Sequence, residues 1–183
     1  MTYVSQSKKI FYRVTYLEMN KPPLFNWPIP INKKISLLES KNIPVWYFLF
    51  LYKSVGSEYD WTDQLLKTND EINDFINNQK VRFFTLIKDG WTAGFFILDY
   101  RNRNRNLCDL SYIGLVPDAI GIGLGKFLFK TAILMAWDKT NIEKLTVNTC
   151  TLDNKHALPL YQKLGFDVVK FEDLKKNKVI QFN

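Results

Sequence analysis

Three of the chain's eight glycines fall within five residues, Gly121, Gly123 and Gly125, in the run Ile120–Gly125 (IGIGLG). A strand-like run precedes them and a helix-patterned run follows. Glycine carries no Cβ, so backbone N–H groups at the positive end of a helix dipole would lie open there to an anion such as a pyrophosphate. The same spacing also suits a tight strand-to-helix turn that needs positive φ, and the residues alone leave both readings standing. Two phosphate-binding patterns are excluded. A P-loop needs Ser or Thr after Gly-Lys, and Gly125-Lys126 is followed by Phe127. A dinucleotide fingerprint follows the first strand of a βαβ unit, whereas these glycines follow a strand meander in the second half of the chain.

Other reactive side chains are sparse. There is one histidine, His156, and there are two cysteines, Cys108 and Cys150. That inventory excludes zinc ribbons and fingers, and no metal is expected. The cysteines sit in strand-like apolar runs without a histidine partner in sequence, which predicts buried free thiols rather than a nucleophile or a disulfide. His156 reads as a surface residue at a helix start. Arg101, Arg103 and Arg105 alternate with asparagine and would share a face if extended, as phosphate contacts or as a solvated loop. Trp46, Tyr47, Phe48, Phe50 and Tyr52, with Tyr59 and Trp61, read mostly as core, part of which could line a pocket.

The elements that must position these residues belong to one domain spanning residues 1–183. Hydrophobic residues make up 46% and charged residues 23%, which excludes bulk disorder. The formal charge of +7 favours anionic partners, although Lys, Asn and Ile are spread along the whole chain. The longest apolar run, Ile43–Tyr52, is ten residues, against the ~20 of a membrane span. The first residues have no apolar core of a signal peptide. A cytoplasmic protein with no membrane association is expected.

Residues 10–19 read as a strand, and the proline-rich 21–30 as an irregular segment. Pro44 opens a helix running to Gly56. Short helices are expected over 62–67 and 70–78, the latter capped by Asn69 or Asp70. Residues 81–88 and 91–100 form a hairpin about Asp89-Gly90, and 107–116 a third strand. Leu124, Phe127, Leu128, Thr131, Leu134 and Met135 recur at helical spacing. Strands over 144–150, 166–171 and 179–182 and a helix over 154–164 complete a mixed α/β layer architecture.

In that frame, residues 107–125 (LCDLSYIGLVPDAIGIGLG) resemble motif A of the GNAT superfamily of acyl-CoA N-acyltransferases. Asn154-x-x-Ala157-x-x-x-Tyr161-x-x-Leu164-Gly165-Phe166 matches a second superfamily signature, in the right order. Residues 16–19, 51–56, 114–117 and 149–153 extend the likeness to a bacterial subgroup of unassigned acceptor. The resemblance implies a twisted, mostly antiparallel mixed sheet with helices on both faces. It implies acetyl transfer from acetyl-CoA to a small-molecule or peptide amine by direct attack in a ternary complex. By resemblance, the amides of Gly121, Ile122, Gly123, Leu124 and Gly125, with Lys126, would hold the pyrophosphate. Leu115 and Val116 would offer backbone groups to the thioester and pantetheine, and Asn154 would contact pantetheine. Tyr161 would protonate the leaving thiolate, and Asp109 stands where many members carry a glutamate base.

The chain departs from the family pattern at three places. Ile120 replaces the usual Arg or Gln, Ile122 a position often basic, and Asp109 is one methylene short of glutamate, so a bridging water is expected. Asp109 as a structural carboxylate and Tyr161 as a packed aromatic remain open readings. A second function, a non-catalytic coenzyme A-binding sensor or partner module, rests on those departures. Nucleic-acid binding through the arginine loop is a third and weaker one. A homodimer is compatible with the family.

Overall fold

The computed structural model describes residues 2–29, 34–102, 106–139 and 141–181; Arg103 and Arg105 lie outside the described residues. Among them are seven strands: β1 (Thr2–Met19), β2 (Ile35–Ser40), β3 (Val81–Lys88), β4 (Trp91–Asp99), β5 (Leu107–Leu115), β6 (Lys144–Cys150) and β7 (Asp167–Gln181). Four α-helices join them: α1 (Val45–Gly56), α2 (Asn69–Ile76), α3 (Leu124–Trp137) and α4 (Ala157–Lys163). The strands form one sheet in the order β2-β3-β4-β5-β6-β1-β7. Every neighbouring pair is antiparallel except β5 and β6.

The aromatic content builds the two faces. Phe83 stacks on Phe95 with centroids 5.5 Å apart, and Phe48 of α1 meets Phe83 at 6.2 Å. The next residues along each strand, Phe84 and Phe96, stack at 4.7 Å on the opposite face, as strand alternation requires. Tyr100 continues that second face, and its hydroxyl donates to the Ala136 carbonyl of α3. Helices α1 and α2 therefore cover one side of the sheet and α3 the other. The hairpin about Asp89-Gly90 forms with both residues at positive φ, 50° and 89°, as its dipeptide predicts.

Several elements differ from the sequence expectation. Strand β2 was not expected; Ile35–Ser40 gains its structure by pairing with β3 at the sheet edge. The expected strands over 166–171 and 179–182 are one strand, β7, because the lysine-rich middle pairs with β1. Residues 62–67 hold only a 3₁₀ turn, Gln64–Leu66. Helix α2 is capped by Thr68, not Asn69 or Asp70: the Thr68 hydroxyl accepts from the Glu71 N–H while the Glu71 carboxylate accepts from the Thr68 N–H. Helix α4 begins at Ala157 rather than Asn154. Trp46 and Phe50 are exposed, whereas Phe48 and Tyr52 are fully buried, so α1 turns only one aromatic stripe inward. Both cysteines are free, Cys108 buried and Cys150 half-buried.

Candidate active site

Strands β5 and β6 pair over only three residues, ending at Asp109 opposite Thr146. Beyond that point β6 stays with β1, up to Val14 opposite Cys150, while β5 stays with β4. The parting coincides with a bulge in β5. Leu110 faces Leu98 and Tyr112 faces Ile97, so Ser111 is the additional residue. The bulge restores alternation in a new phase. It turns Tyr112 and Gly114 toward α1 and Ile113 toward α3.

The parting exposes specific backbone groups. The Val116 N–H donates to the Ala93 carbonyl (3.0 Å), and the Val116 carbonyl accepts from Ala119 N–H (2.9 Å). Both backbone groups of Val116 thus already have a partner within the protein, which leaves a ligand the second lone pair of its carbonyl. Because adjacent residues of a strand point their backbone groups to opposite edges, those of Leu115 face the edge that β6 has left.

Two cavities open at this gap. One, of about 200 Å³, lies between β5 and α4 and is lined by Leu115, Ile120, Phe129, Asn154, Leu160 and Tyr161. The other, of about 560 Å³, lies between β1, β7 and the segment that follows α1 and is lined by Tyr12, Asp60, Asp63, Leu66, Cys150 and Lys176. Tyr59, Trp61, Ser111, Tyr112, Asn148 and Asp153 line both, so they form the boundary between the two cavities.

At the mouth of the first cavity stands the start of α3. Gly121 and Gly123 have φ of 81° and 84°, so the turn itself requires these glycines. Gly125 is different. It is helical, and a Cβ built there would meet only Leu115 Cδ1 at 3.9 Å, an ordinary contact. No side chain caps α3. Its first-turn N–H groups, including those of Leu124, Gly125 and Lys126, lack intrahelical acceptors and can receive an anion. Leu124 is buried and anchors the turn, while Ile120 and Ile122 are each 46% exposed and Lys126 is exposed.

Tyr161 is 4% exposed, packed against Phe129 and Phe166 at 5.4 and 5.7 Å. Burial, and then the charges of Asp153 and Asp109, push its hydroxyl pKa well up, so the phenol keeps its proton. Asn154 accepts from the His156 N–H (3.0 Å) and donates to the Tyr59 hydroxyl (3.2 Å), tying α4 to the loop after α1. His156 is exposed.

Asp109 lines neither cavity. Its carboxylate accepts from Ser111 Oγ (2.8 Å) and Thr146 Oγ1 (2.7 Å). Burial raises its pKa, and these two hydroxyl donors oppose the rise. The group that reaches the boundary in its place is Ser111. Cys108 is pushed up to about 12 by burial, which keeps it a neutral thiol.

The hydrogen-bond partners of the carboxylates around the boundary were not visible in sequence. Asp153 accepts from Trp61 Nε1 (3.1 Å), Thr149 Oγ1 (2.8 Å) and Cys150 N–H (2.8 Å). Asp63 accepts from Tyr52 Oη (2.5 Å), from Tyr112 Oη and from Gln64 Nε2 (3.3 Å). Among the described residues, both carboxylates are held by neutral donors alone. Asp60, by contrast, is paired with Lys176 at 2.7 Å. Asp153, in a turn directly after β6, carried a local signal, and Tyr59 and Trp61 belong to the aromatic set from which pocket lining was expected. Asp63, Ser111, Tyr112 and Asn148 come from segments that the fold brings together. Among the described residues no cluster of three or more His, Cys, Asp or Glu could hold a metal ion, and no helix is long and apolar enough to cross a membrane.

Comparison with known proteins agrees with this architecture. A crystal structure of a GNAT-family acetyltransferase from Novosphingobium aromaticivorans matches with a TM-score of 0.60 at 17% identity, over 100% of this chain and 68% of that one. A GCN5-related N-acetyltransferase from Sphaerobacter thermophilus matches with a TM-score of 0.61 at 10% identity, over 94% of this chain but 53% of that chain's length. Spermidine N-acetyltransferase from Vibrio cholerae, solved with CoA and spermine, matches with a TM-score of 0.58 at 16% identity, over 80% and 97%. No curated protein matches the sequence. These likenesses establish the fold, a mixed, mostly antiparallel sheet. The family model described as Acetyltransferase (GNAT) family matches residues 46–166, about two thirds of the sequence. With the parted strands and the glycine turn in place, the chain belongs to the GNAT acetyltransferase family.

Proposed function

We propose that the chain acts as one domain that transfers an acetyl group from acetyl-CoA to a cationic amine, by direct attack in a ternary complex. The observation that carries the reading is the adjacency of the two cavities, which share one set of lining residues at the β5–β6 gap. One cavity runs from Ile120, next to the uncapped glycine turn, to Tyr161, and the other offers carboxylates and aromatic walls. The pyrophosphate of the cosubstrate would rest on the amides of Gly121–Gly125 with Lys126 beside it. Pantetheine would follow the Leu115 edge past Asn154.

The chemistry follows from the side chains present. An alkyl amine is mostly protonated at neutral pH and must lose a proton to attack the carbonyl carbon. Ser111 Oγ stands at the boundary and donates to Asp109, so a proton taken by Ser111 is matched by the one it passes to that carboxylate. A pKa raised by burial improves Asp109 as acceptor. The nitrogen–carbon bond forms, the carbon–sulfur bond breaks, and the Tyr161 hydroxyl supplies the leaving thiolate with a proton, giving amide and free coenzyme A. Carbonyl oxygen charge is met by a backbone N–H at the open edge of β5.

The neutral-donor environments of Asp63 and Asp153 support a positively charged acceptor. The spermine-bound relative is of the same kind, an acetyltransferase holding a polyamine. Release of free coenzyme A, followed against a panel of monoamines, diamines, polyamines, aminoglycosides and short peptides, tests the proposal. Turnover with at least one cationic amine is expected. Tight acetyl-CoA binding with no turnover across the panel would favour the second reading, a coenzyme-binding module, which the seat of Asp109 outside both cavities supports. Absence of acetyl-CoA binding would overturn both.

A further inference from the structure

The last turn of α1 lies unusually close to β5 at the gap, and two glycines make that approach possible. A Cβ on Gly114 would fall well inside van der Waals contact of Val55 Cγ1. The Val55 methyl group therefore occupies the space above β5 where a side chain of residue 114 would stand. Val55 itself is 4% exposed and lines the first cavity together with Gly114 and Trp61. A Cβ on Gly56 would lie 2.5 Å from Trp61 Cβ and Cγ, so Trp61 packs directly over that backbone. The indole is further fixed by its hydrogen bond to Asp153 (3.1 Å) and by Tyr52 and Tyr112, with ring centroids 5.5 and 5.4 Å away. Val55 and Trp61 thus form a rigid wall rather than a mobile rim.

The wall stands on a particular side of the gap. Tyr161 packs with Phe129 of α3, on the α3–α4 face, whereas Val55 and Tyr112 belong to the α1 face. Resting on the acetyl-transfer reading above, a thioester whose sulfur lies by Tyr161 directs its acyl substituent away from the sulfur, through the gap, toward α1. There it meets Val55, the bare backbone of Gly114 and the edge of Trp61. We infer that Val55, seated on Gly114 and backed by Trp61, sets the length of the acyl chain that the enzyme accepts and restricts the donor to acetyl or propionyl. An extra methylene against a fixed apolar wall discriminates by about 10–200-fold.

The test compares acetyl-, propionyl-, butyryl- and hexanoyl-CoA in the parent chain and in Val55→Ala, by coenzyme A release and, in parallel, by calorimetric binding. In the parent, kcat/KM should fall at least 10-fold from acetyl to butyryl. In Val55→Ala that ratio should shrink at least 10-fold, while Val55→Ile should steepen it. A parent that uses butyryl-CoA as well as acetyl-CoA, or a folded Val55→Ala with the parental ratio, overturns the inference while leaving acetyl transfer intact. If no acyl-CoA turns over, the binding series decides: a chain-length preference that Val55→Ala relaxes supports the inference, and equal affinities overturn it. A parent that binds none of the four overturns the acetyl-transfer reading, and this inference with it.

Discussion

At the level of single residues, the two titratable groups singled out in sequence lead to different experiments. Tyr161→Phe removes one buried hydroxyl and leaves the ring contacts with Phe129 and Phe166. Turnover should drop about 10²–10⁴-fold with acetyl-CoA affinity unchanged; a steady-state rate within twofold of the parent would return the ring to a packing role. Asp109 carries a second signature. Its folded pKa is raised, mainly by burial, so between the unfolded and folded values the folded state still holds a proton that the unfolded chain has released. Stability conferred by this group therefore falls as pH rises, from about pH 4, the unfolded value, through its folded value. Asp109→Asn should remove that slope, so the urea midpoint of the variant should gain on the parent over this range. Its rate should also fall furthest below the parent's at neutral pH and partly recover at high pH, where the amine is already free. An unchanged pH–rate profile would take Asp109 out of the mechanism. The residue types of both groups were legible in sequence; their partners were not. Thr146 reaches Asp109 from 37 residues away, and Ser111 matters only because a bulge turns it to the boundary. A bulge has no fixed sequence mark, since it is settled by competition between two ladders.

At the level of elements, the start of α3 separates what the chain needs from what a ligand needs. Gly121 has positive φ and Gly125 is helical. Gly121→Ala should strain the backbone by about 1–2 kcal/mol and lower the melting temperature. Gly125→Ala should do the opposite, stabilising the helix by about 0.5–1 kcal/mol while its methyl group weakens acetyl-CoA binding. A calorimetric titration with parental affinity for Gly125→Ala would remove the pyrophosphate from this turn. The order of elements from β3 through α4 was readable because each is marked locally: a positive-φ dipeptide, glycine punctuation, helical periodicity. Strand β2 and the middle of β7 were not. Ile35–Ser40 and residues 172–178 have mixed composition and become strands only through pairing with β3 and β1. The cap of α2 went to Thr68 rather than its neighbours because only Thr68 stands three residues before Glu71.

At the level of the whole molecule, a cosubstrate laid along α3, β5 and α4 would add contacts that bridge the two sides of the gap. Acetyl-CoA at 100-fold excess over its dissociation constant should add about 2.7 kcal/mol of stability. For a chain of this size that is a rise of roughly 5–11 °C in melting temperature, and Gly125→Val should abolish it. A thermal scan showing the same rise in that variant would place the coenzyme elsewhere. The sheet order also has a consequence in time. Strand β1 lies between β6 and β7, and its contacts span long stretches of chain: Glu18 meets Lys144 126 residues on, and Arg13 meets Asp173 160 residues on. The β3–β4–β5 meander can close from near neighbours, but β1 has no partner until β6 has been synthesised. At translation rates of about 5–20 residues per second, β1 waits roughly 6–25 s in the nascent chain. Its inward residues Leu17 and Met19, buried in the finished sheet, stay open to other chains during that interval. Completion of the sheet is then a late, non-local event, limited by loop closure rather than by the strength of the final contacts.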